Sequence, residues 1–276
     1  MFTTEGKLKL YKDEMLASME GLGHFFTTRF GGISGAGGGL FNASFSRETP
    51  EESCKVRENV RIAAEAEGVS PDRFTSVRQV HGDRVVKVTE EIAGARFGKP
   101  GLIIDADAMI TDLPGTPLFT THGDCVPVYI YAPRKAVGMV HSGWRGCVAG
   151  ISGKTVEAMV REFGVRPDEL YCAIGPAICK SCFEIDTPVY ETLKNAFPDS
   201  GLYSFDPLRN KYFADLPEIV FSTLKNAGVR PENISKGAPC TCCPDNRGVF
   251  FSYRGEKGRN EGLMGAAIWL RDCIDQ

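Results

Sequence analysis

The sequence carries no excess of charge of either sign and no long apolar segment. It has 32 Lys and Arg residues against 35 Asp and Glu residues, with a formal net charge of -3. Chains that bind nucleic acid usually show a basic excess or a basic stripe, so we expect no nucleic-acid partner. No apolar run approaches bilayer-spanning length, and the first 21 residues lack the apolar core of a signal peptide. We therefore expect a cytoplasmic protein without membrane contact.

Several familiar motifs are also incomplete or missing. The glycine-rich segment 146–155 resembles a phosphate-binding P-loop, but Val148 stands where that motif requires glycine. The His-x-Glu and Pro-Cys-x-x-Cys signature of zinc deaminases is absent, which excludes ordinary cytidine-deaminase architecture. No internal repeat or low-complexity tract marks a domain boundary. A nucleotide-hydrolysing P-loop enzyme and a repeat protein are thus both disfavoured.

Histidine is scarce, with four residues, whereas cysteine is common, with ten. In a reducing compartment thiols stay free, so metal ligation, catalysis or burial explains cysteines better than disulfides do. Two of the histidines and one cysteine, His81, Cys125 and His141, stand at strand ends or in the turns after strands. Two imidazoles and a thiolate suit zinc or copper. Three protein ligands leave a fourth tetrahedral position open, as in catalytic zinc sites. The alternative is a purely structural role, in which Cys125 is a small buried side chain and the histidines are held by hydrogen bonds.

A second cysteine group comprises Cys179-x-x-Cys182 and Cys240-x-Cys242-Cys243. Two close pairs can build a closed four-cysteine zinc site. However, Cys182 and Cys240 are 58 positions apart, which is long for a zinc ribbon. We therefore predict free structural thiols here, not a second metal site.

The hydrophobic pattern predicts an α+β fold: a single domain, residues 1–276, with mixed β-sheets packed against outer helices. The strands are predicted at His24–Thr28, Thr75–Val80, Arg84–Val88, Ala108–Thr111, Leu118–Thr121, Val126–Tyr131, Ala136–His141, Leu170–Ile174 and Val249–Tyr253. The helices are predicted at Glu51–Glu67, Ile151–Phe163, Thr187–Phe197 and Asp215–Ala227, the last with a cap-like Asp215-x-x-Glu218. Strands and helices alternate irregularly, which favours mixed sheets over a strict βαβ series.

An ordered set of motifs covers nearly the whole chain, from about His24 to Leu270. They are Thr27-Thr28-Arg29-x-Gly31-Gly32-Ile33-Ser34, Asn42, 57–61, Gln79-Val80-His81-Gly82, Asp105-Ala106-Asp107-Ala108, Gly123-Asp124-Cys125-Val126-Pro127-Val128, His141-Ser142-Gly143-Trp144-Arg145-Gly146, Ile174-Gly175-Pro176-Ala177-Ile178, Phe183-Glu184, Cys240-Thr241 and Phe250-Phe251-Ser252-Tyr253-Arg254. In this set the chain resembles the bacterial laccase-domain family, whose members are called multicopper polyphenol oxidases and purine nucleoside phosphorylases. The order of the motifs, not any single tripeptide, makes the resemblance specific.

This resemblance implies one zinc ion held by His81, Cys125 and His141. It also implies phosphorolysis of adenosine, inosine and methylthioadenosine, with some adenosine deamination. The sequence departs from the family pattern at Gly255 and at Glu261-Gly262-Leu263, where the family usually has arginines. Any anion-binding role of those arginines is absent here unless Arg259 replaces them.

Phosphorolysis needs phosphate, a bound nucleoside and a proton shuttle. Guanidinium groups bind phosphate through paired hydrogen bonds, so we nominate Arg29, Arg61 and Arg145 for phosphate. Arg61 has Glu58 and Glu65 one turn away and can pair with them instead. Asn42 and Gln79 lie in the matched motifs and are nominated for substrate binding. Proton transfer is assigned to Glu184 and Asp107. Either carboxylate could instead cap a backbone segment or form an ion pair.

Three other functions remain open. A Cys-His hydrolase or amidase would use Cys125 as nucleophile, and the name peptidoglycan-editing factor, used in the same family, fits such a substrate. A single-copper polyphenol oxidase would need a weak axial ligand such as Met139, but four histidines cannot serve several coppers. A non-catalytic, thiol-rich metal-binding protein would convert no substrate. The oligomeric state is expected to be monomer or homodimer.

Overall fold

The computed structural model describes residues 1–45, 49–246, 248–259 and 261–271. Seventeen strands occur in these residues. They are β1 (Phe2–Glu5), β2 (Leu8–Tyr11), β3 (Leu22–Thr27), β4 (Phe30–Gly32), β5 (Gly39–Leu40), β6 (Thr75–Ser76), β7 (Val85–Lys87), β8 (Ala108–Thr111), β9 (Leu118–His122), β10 (Val126–Ala132), β11 (Ala136–Ser142), β12 (Tyr171–Ile174), β13 (Glu184–Ile185), β14 (Tyr203–Asp206), β15 (Lys211–Ala214), β16 (Ile234–Ser235) and β17 (Met264–Leu270).

Six α-helices accompany the strands within the described residues. They are α1 (Glu14–Ala17), α2 (Pro50–Ala66), α3 (Trp144–Val148), α4 (Ile151–Phe163), α5 (Thr187–Ala196) and α6 (Leu216–Asn226). Local sequence explains their ends. Thr49 caps α2 by accepting a hydrogen bond from the Glu52 N–H at 3.2 Å, and Pro50 opens the first turn. Asp215 caps α6 in the predicted manner, accepting from the Glu218 N–H at 3.1 Å.

Two six-stranded sheets form the centre of the protein. The first has the strand order β1-β2-β3-β17-β9-β6, and the second has the order β16-β12-β10-β11-β8-β7. Most neighbours are antiparallel, but β6–β9, β12–β16 and β7–β8 are parallel pairs. A three-stranded sheet, β13-β15-β14, and the β4-β5 hairpin complete the strand content of the described residues. The predicted mixed sheets are therefore present.

The apolar side chains divide the protein into four layers. One cluster fills the space between the two large sheets, with Phe26 and Ile268 from the first sheet and Tyr129 and Met139 from the second. The outer face of the second sheet packs on α4 and α6. The outer face of the first sheet packs on α2. Burial of each large apolar side chain stabilises the fold by about 1.5–3 kcal/mol. The predicted fold class, mixed sheets with outer helices, is confirmed.

The element predictions are mostly confirmed, with corrections at three places. The strand predicted at Val249–Tyr253 is wrong, because this segment belongs to none of the sheets among the described residues. Its backbone makes other contacts: the Arg29 N–H donates to the carbonyl of Val249, and the Phe251 N–H donates to the side-chain sulfur of Met264. The strand predicted at Thr75–Val80 contains only Thr75–Ser76. The central strand Met264–Leu270 was not predicted. The end of the predicted domain, 272–276, lies outside the described residues.

None of the helices among the described residues combines the length and apolarity needed to cross a bilayer.

Candidate metal centre and substrate cavity

Three side chains from three separate segments converge at one end of the central sheets. His81 lies in the loop between β6 and β7, Cys125 lies between β9 and β10, and His141 is near the end of β11. One possible ligand atom from each of the three lies within 4.8 Å of the other two. Antiparallel pairing of β10 with β11 brings the second and third together, because Pro127 pairs with His141. The predicted ligand set is thus assembled in space, while its metal binding stays a prediction.

Asp107 organises two of these three residues. Its side chain is fully buried, and its Oδ1 accepts hydrogen bonds from the His81 N–H at 3.0 Å and from His141 Nδ1 at 2.9 Å. Its Oδ2 accepts from the N–H groups of Gly82 at 2.7 Å and Val80 at 3.2 Å. The loop holds His81 at a φ of 59°, a left-handed conformation that is uncommon for residues other than glycine. The bond to Nδ1 leaves Nε2 of His141 available as a ligand.

The electrostatics of the cluster favour a thiolate at Cys125. Burial raises the pKa of this thiol, but the charge and hydrogen bonds of His141 and His81 outweigh burial and lower the pKa to about 6. Burial lowers the pKa of His141, but Cys125 and Asp107 outweigh it and raise the pKa to about 9. For Asp107 burial raises the pKa, and the bonds from His141, Gly82 and Val80 bring it below its usual value. Near neutral pH the metal-free cluster therefore holds an imidazolium and a thiolate.

A glycine leaves space beside the cluster. A Cβ atom on Gly143 would lie 3.0 Å from Cδ2 of His81 and 3.2 Å from Sγ of Cys125. The φ of this residue is -73°, so tight space beside the cluster, and not backbone conformation, disfavours a larger residue here. A sulfur, two imidazoles and an open side form a donor set that suits a transition metal. The residues present are therefore compatible with a bound metal ion.

His122 supports the cluster from behind. Its Nδ1 donates to the carbonyl of Cys125 at 3.1 Å, and its Nε2 accepts from the Thr120 hydroxyl at 2.8 Å. Burial and the neighbouring His141 hold the pKa of His122 well below its usual value, so this ring stays neutral. No motif assigned a role to His122, and its two hydrogen bonds account for its burial as a neutral ring.

The cluster opens into a cavity of about 960 Å³. This volume suits a small organic ligand. Aromatic and apolar side chains form part of its wall, among them Phe45, Trp144, Phe183, Tyr253 and Leu263. Basic side chains also reach it. They are Arg78, Arg96, Arg145, Lys211 and Arg254.

Three of the nominated substrate or catalytic residues line this cavity. Gln79 does so and is held by Thr121, whose N–H and hydroxyl donate to Oε1 at 2.8 and 2.9 Å. Glu184 lines the cavity, with its Oε2 3.6 Å from the guanidinium of Arg209. Arg145, an exposed residue of α3, lines the cavity and lies over the Trp144 ring at 4.2 Å. Arg145 forms no ion pair with any carboxylate in the part of the chain that the structure describes.

Four other nominated residues do not line the cavity. Arg29 lies over the Phe251 ring and pairs with Glu256 and Glu261. Arg61 is on α2, where it pairs with both Glu58 and Glu65, the alternative that its helix position already indicated. The structure therefore does not bring either arginine to the ligand cluster.

Asn42 and Asp107 are engaged in the scaffold. Oδ1 of Asn42 accepts from the Ser44 N–H at 2.9 Å and from the Leu263 N–H at 3.0 Å. Asp107, with four hydrogen bonds, has no free oxygen facing the cavity. Both residues hold loops that carry cavity residues.

Sequence reasoning overlooked several cavity residues. Arg254 stands in a motif that the resemblance uses, and it donates to the carbonyl of Glu184 while its guanidinium lies over Phe183. Lys211, on β15, has no motif that could have indicated it. Leu263, where the resemblance leads one to expect arginine, lines the cavity, whereas Arg259 does not. The departure from the family pattern therefore falls inside the cavity.

The second cysteine group has an unexpected geometry. Sγ atoms of Cys179, Cys182, Cys240 and Cys243 all lie within 4.8 Å of one another. The loops that carry them meet through the bridge between Ala177 and Cys240. The two cysteine pairs therefore lie together in space. The long gap in sequence was the reason for predicting free structural thiols, and it does not separate the pairs.

Met139, the conceivable axial ligand of a copper site, is fully buried in the core between the two large sheets. It does not line the cavity.

Comparison with known proteins defines the family. The chain belongs to the family described as multi-copper polyphenol oxidoreductase laccase, whose model matches residues 23–271. It is 32% identical over 253 residues to purine nucleoside phosphorylase YlmD of Geobacillus stearothermophilus, covering 89% of each chain. It is also 30% identical over 267 residues to adenosine deaminase RL5 of an unknown prokaryotic organism, covering 96% of this chain and all of the relative.

Solved structures share the fold across nearly the whole chain. YlmD of Geobacillus stearothermophilus superimposes with a TM-score of 0.86 at 29% identity, covering 98% of this chain and 99% of that one. The hypothetical protein YfiH of Bacillus licheniformis gives a TM-score of 0.85 at 27% identity, with the same coverage. The names of the curated relatives support an enzyme.

Proposed function

We propose that this protein is a metal-dependent purine nucleoside phosphorylase that also deaminates adenosine. The observation that carries the proposal is the convergence of His81, Cys125 and His141 at a cavity that also presents the guanidinium of Arg145, which has no ion pair among the described residues. Relatives over most of the chain are named purine nucleoside phosphorylase, and one is named adenosine deaminase. Adenosine, inosine and methylthioadenosine are the proposed substrates, together with phosphate.

His81, Cys125 and His141 would hold the metal, and zinc is the proposed ion. A set of three protein ligands with an open side is typical of catalytic zinc sites. When bound, such an ion supplies a Lewis acid that polarises an oxygen of the substrate or of water. The histidine content argues against a multicopper centre in spite of the family's description, because each copper needs imidazole ligands. Copper at the same three ligands is the alternative ion.

Arg145 is the proposed phosphate ligand. Its guanidinium is exposed at the cavity and lies over the Trp144 ring, so its position is held without neutralisation by a carboxylate. A planar guanidinium donates two parallel hydrogen bonds to a phosphate. The cavity supplies further positive charge from Lys211 and Arg254. This balance favours an anionic co-substrate next to the sugar.

The apolar wall is the proposed site of the purine. Phe183 and Tyr253 present aromatic rings to the cavity, and Ile178 and Leu263 add apolar surface. Aromatic rings bind planar nucleobases by stacking. Gln79 presents an amide beside them and is fixed by Thr121, so it can bind a polar group of the nucleoside in a set orientation.

Glu184 is the proposed proton shuttle, since its carboxylate is at the cavity and only partly paired with Arg209. Asp107 has a different proposed role. With both oxygens bonded to the ligand loop and to His141, it positions the metal ligands and does not exchange protons with substrate.

A cysteine hydrolase is a second candidate, and one observation favours it. Metal-free Cys125, His141 and Asp107 form a thiolate, an imidazolium and an orienting carboxylate, which is the arrangement of a cysteine nucleophile with its base. Alkylation separates the two functions. A bound metal would protect Cys125 until it is chelated, whereas a free nucleophile would react without chelation.

The direct test is chromatography of purine nucleosides incubated with the protein at increasing phosphate concentrations. We expect free base and ribose 1-phosphate in equal amounts, with base release that rises with phosphate. Inosine formed from adenosine should not require phosphate. Base release that ignores phosphate would replace the phosphorylase with a hydrolase, and the absence of any turnover would favour a binding protein.

A further inference from the structure

Four cysteines form a cluster on two loops that the proposed phosphorolysis does not use. Cys179 and Cys182 lie on the loop between β12 and β13, and Cys240 and Cys243 lie on the loop after β16. Each loop thus contributes a Cys-x-x-Cys pair, the spacing found on both sides of closed zinc sites. All four sulfurs approach one another within 4.8 Å.

The distances between the sulfurs match a single tetrahedral metal. Zn–S bonds of about 2.3 Å at tetrahedral angles place sulfurs about 3.8 Å apart. The Sγ of Cys243 lies 3.6 Å from that of Cys179 and 3.7 Å from that of Cys182. A disulfide would bring two sulfurs to about 2.05 Å, and all four cysteines are free thiols in this structure. The spacing therefore excludes disulfides and fits a common ligand.

Backbone groups are directed at one of the sulfurs. The N–H groups of Cys179 and Cys242 both donate to Sγ of Cys240, each at 3.3 Å. Contacts of this kind orient a sulfur and support it as a metal ligand.

We propose that Cys179, Cys182, Cys240 and Cys243 bind one zinc ion in a closed tetrahedral site. A set of four cysteines leaves no position for water or substrate, so this zinc is structural. An iron–sulfur cluster would spread the thiolates over several irons, farther apart than ligands of one ion. The proposal is independent of the chemistry assigned to His81, Cys125 and His141.

The zinc would tie together two loops that support the substrate cavity. The Thr241 N–H donates to the carbonyl of Ala177 at 3.1 Å, and its hydroxyl donates to Oδ1 of Asp124 at 2.6 Å. The Ile178 N–H donates to the carbonyl of Asp124 at 3.0 Å. Asp124 directly precedes Cys125 in the chain. A metal that fixes both loops would therefore also fix the Cys125 loop.

Elemental analysis tests the site without reference to activity. The double variant His81→Ala/Cys125→Ser removes the cavity ligands, so any zinc that it retains belongs elsewhere. After purification with a thiol reductant we expect one zinc per chain in this variant. Adding Cys179→Ser and Cys182→Ser should reduce zinc to background. An absence of zinc from the double variant, or one iron in its place, would refute the proposal even if the fourfold variant fails to fold.

Two cysteines outside the set provide matched controls. Cys242→Ser changes the neighbour of Cys243, and Cys54→Ser changes an exposed thiol on α2. In the double-variant background both should retain one zinc. Loss of zinc from the Cys242→Ser protein would contradict this ligand set. Cobalt loaded into the double variant should show the absorption bands of a tetrahedral ion with several thiolates, and an octahedral spectrum would contradict the geometry.

Discussion

Asp107→Asn is the substitution whose consequences the structure defines most closely. The carboxylate accepts four hydrogen bonds, two at each oxygen: His81 N–H and His141 Nδ1 at Oδ1, and Val80 N–H and Gly82 N–H at Oδ2. An asparagine has one accepting oxygen and one NH₂ group. Whichever way it is oriented, two buried donors then face another donor. The shape of the side chain is unchanged, so packing is preserved.

The expected magnitude follows from those unpaired groups. A buried donor without an acceptor costs about 1–3 kcal/mol, so two cost about 2–6 kcal/mol of unfolding free energy. His141 can relieve part of this cost by losing its Nδ1 proton, so that Nδ1 accepts a hydrogen bond and only Nε2 keeps a proton. That tautomer turns an N–H toward the metal position, so we also expect a loss of about 10–100-fold in metal affinity.

Two measurements check this prediction. Denaturant unfolding of the metal-free protein gives the stability change, and competition with a chelator of known affinity gives the metal affinity. Asp105→Asn is the matched control, because Asp105 is two residues away and pairs with Arg78 on the surface at 2.6 and 2.8 Å. An exposed pair contributes about 0–1 kcal/mol. Equal effects of the two substitutions, or unchanged metal affinity in Asp107→Asn, would refute the positioning role.

Three further predictions concern titration and phosphate. Burial lowers the pKa of His24 to about 3, and its Nε2 accepts from the Asp13 N–H at 2.9 Å. Because the unfolded chain binds a proton below pH 6.5 and the folded chain does not, acidification from pH 6.5 to 5 should cost about 2 kcal/mol. The unfolding free energy of His24→Gln should not show this loss between pH 6.5 and 5. An equal loss in the unsubstituted protein and in His24→Gln would contradict the prediction. In metal-free protein, Cys125 should be alkylated at pH 7 and lose reactivity as the pH falls through about 6. His141→Gln should shift that midpoint upward, as mass spectrometry of the labelled peptide will show; an unmoved midpoint would argue against the ion pair. Arg145→Lys keeps the positive charge but loses the planar guanidinium that donates two parallel hydrogen bonds. It should reduce the rate of phosphorolysis by about tenfold or more. Adenosine deamination should change much less, and Arg161→Lys, on the outer surface, should change neither; equal loss of both activities would make Arg145 a scaffold residue.

Much of the fold could be predicted because the strands of the second sheet are rich in β-branched and aromatic residues. Val126–Ala132 and Ala136–Ser142 have this character, and their predicted bounds differ from the observed ones by one residue at one end. Met264–Leu270 was missed because its small residues carry no alternating pattern. The strand lies between β3 and β9 in the first sheet, and its side chains are buried on both faces of that sheet. Its sequence therefore has no alternating polar positions that would indicate a strand. Phe250 and Phe251 are buried as a strand would be, yet among the described residues their segment belongs to none of the sheets.

The site could be predicted only in part. The candidate metal ligands stand in motifs and could be nominated from sequence, but the partners of a guanidinium depend on the fold. The helical spacing of Glu58 and Glu65 indicated the ion pairs of Arg61, but no sequence pattern separated Arg29, which pairs with carboxylates, from Arg145, which lines the cavity. Asp107 was nominated for proton transfer because hydrogen bonds to backbone N–H groups leave no trace in sequence. The spacing Cys240-x-x-Cys243 was a visible signal of a second pair.

The position of β17 has a consequence for the order in which the protein is completed during synthesis. This strand, Met264–Leu270, is the last in the described chain and lies between β3 and β9 in the first sheet. Met264 pairs with His122, the residue that leads into the Cys125 loop. A nascent chain that ends before this strand leaves β9 without one of its neighbours and the loop without its anchor. Contacts between segments so far apart in sequence are slow to form, so we expect the Cys125 loop to reach its final geometry only after strand β17 has been synthesised.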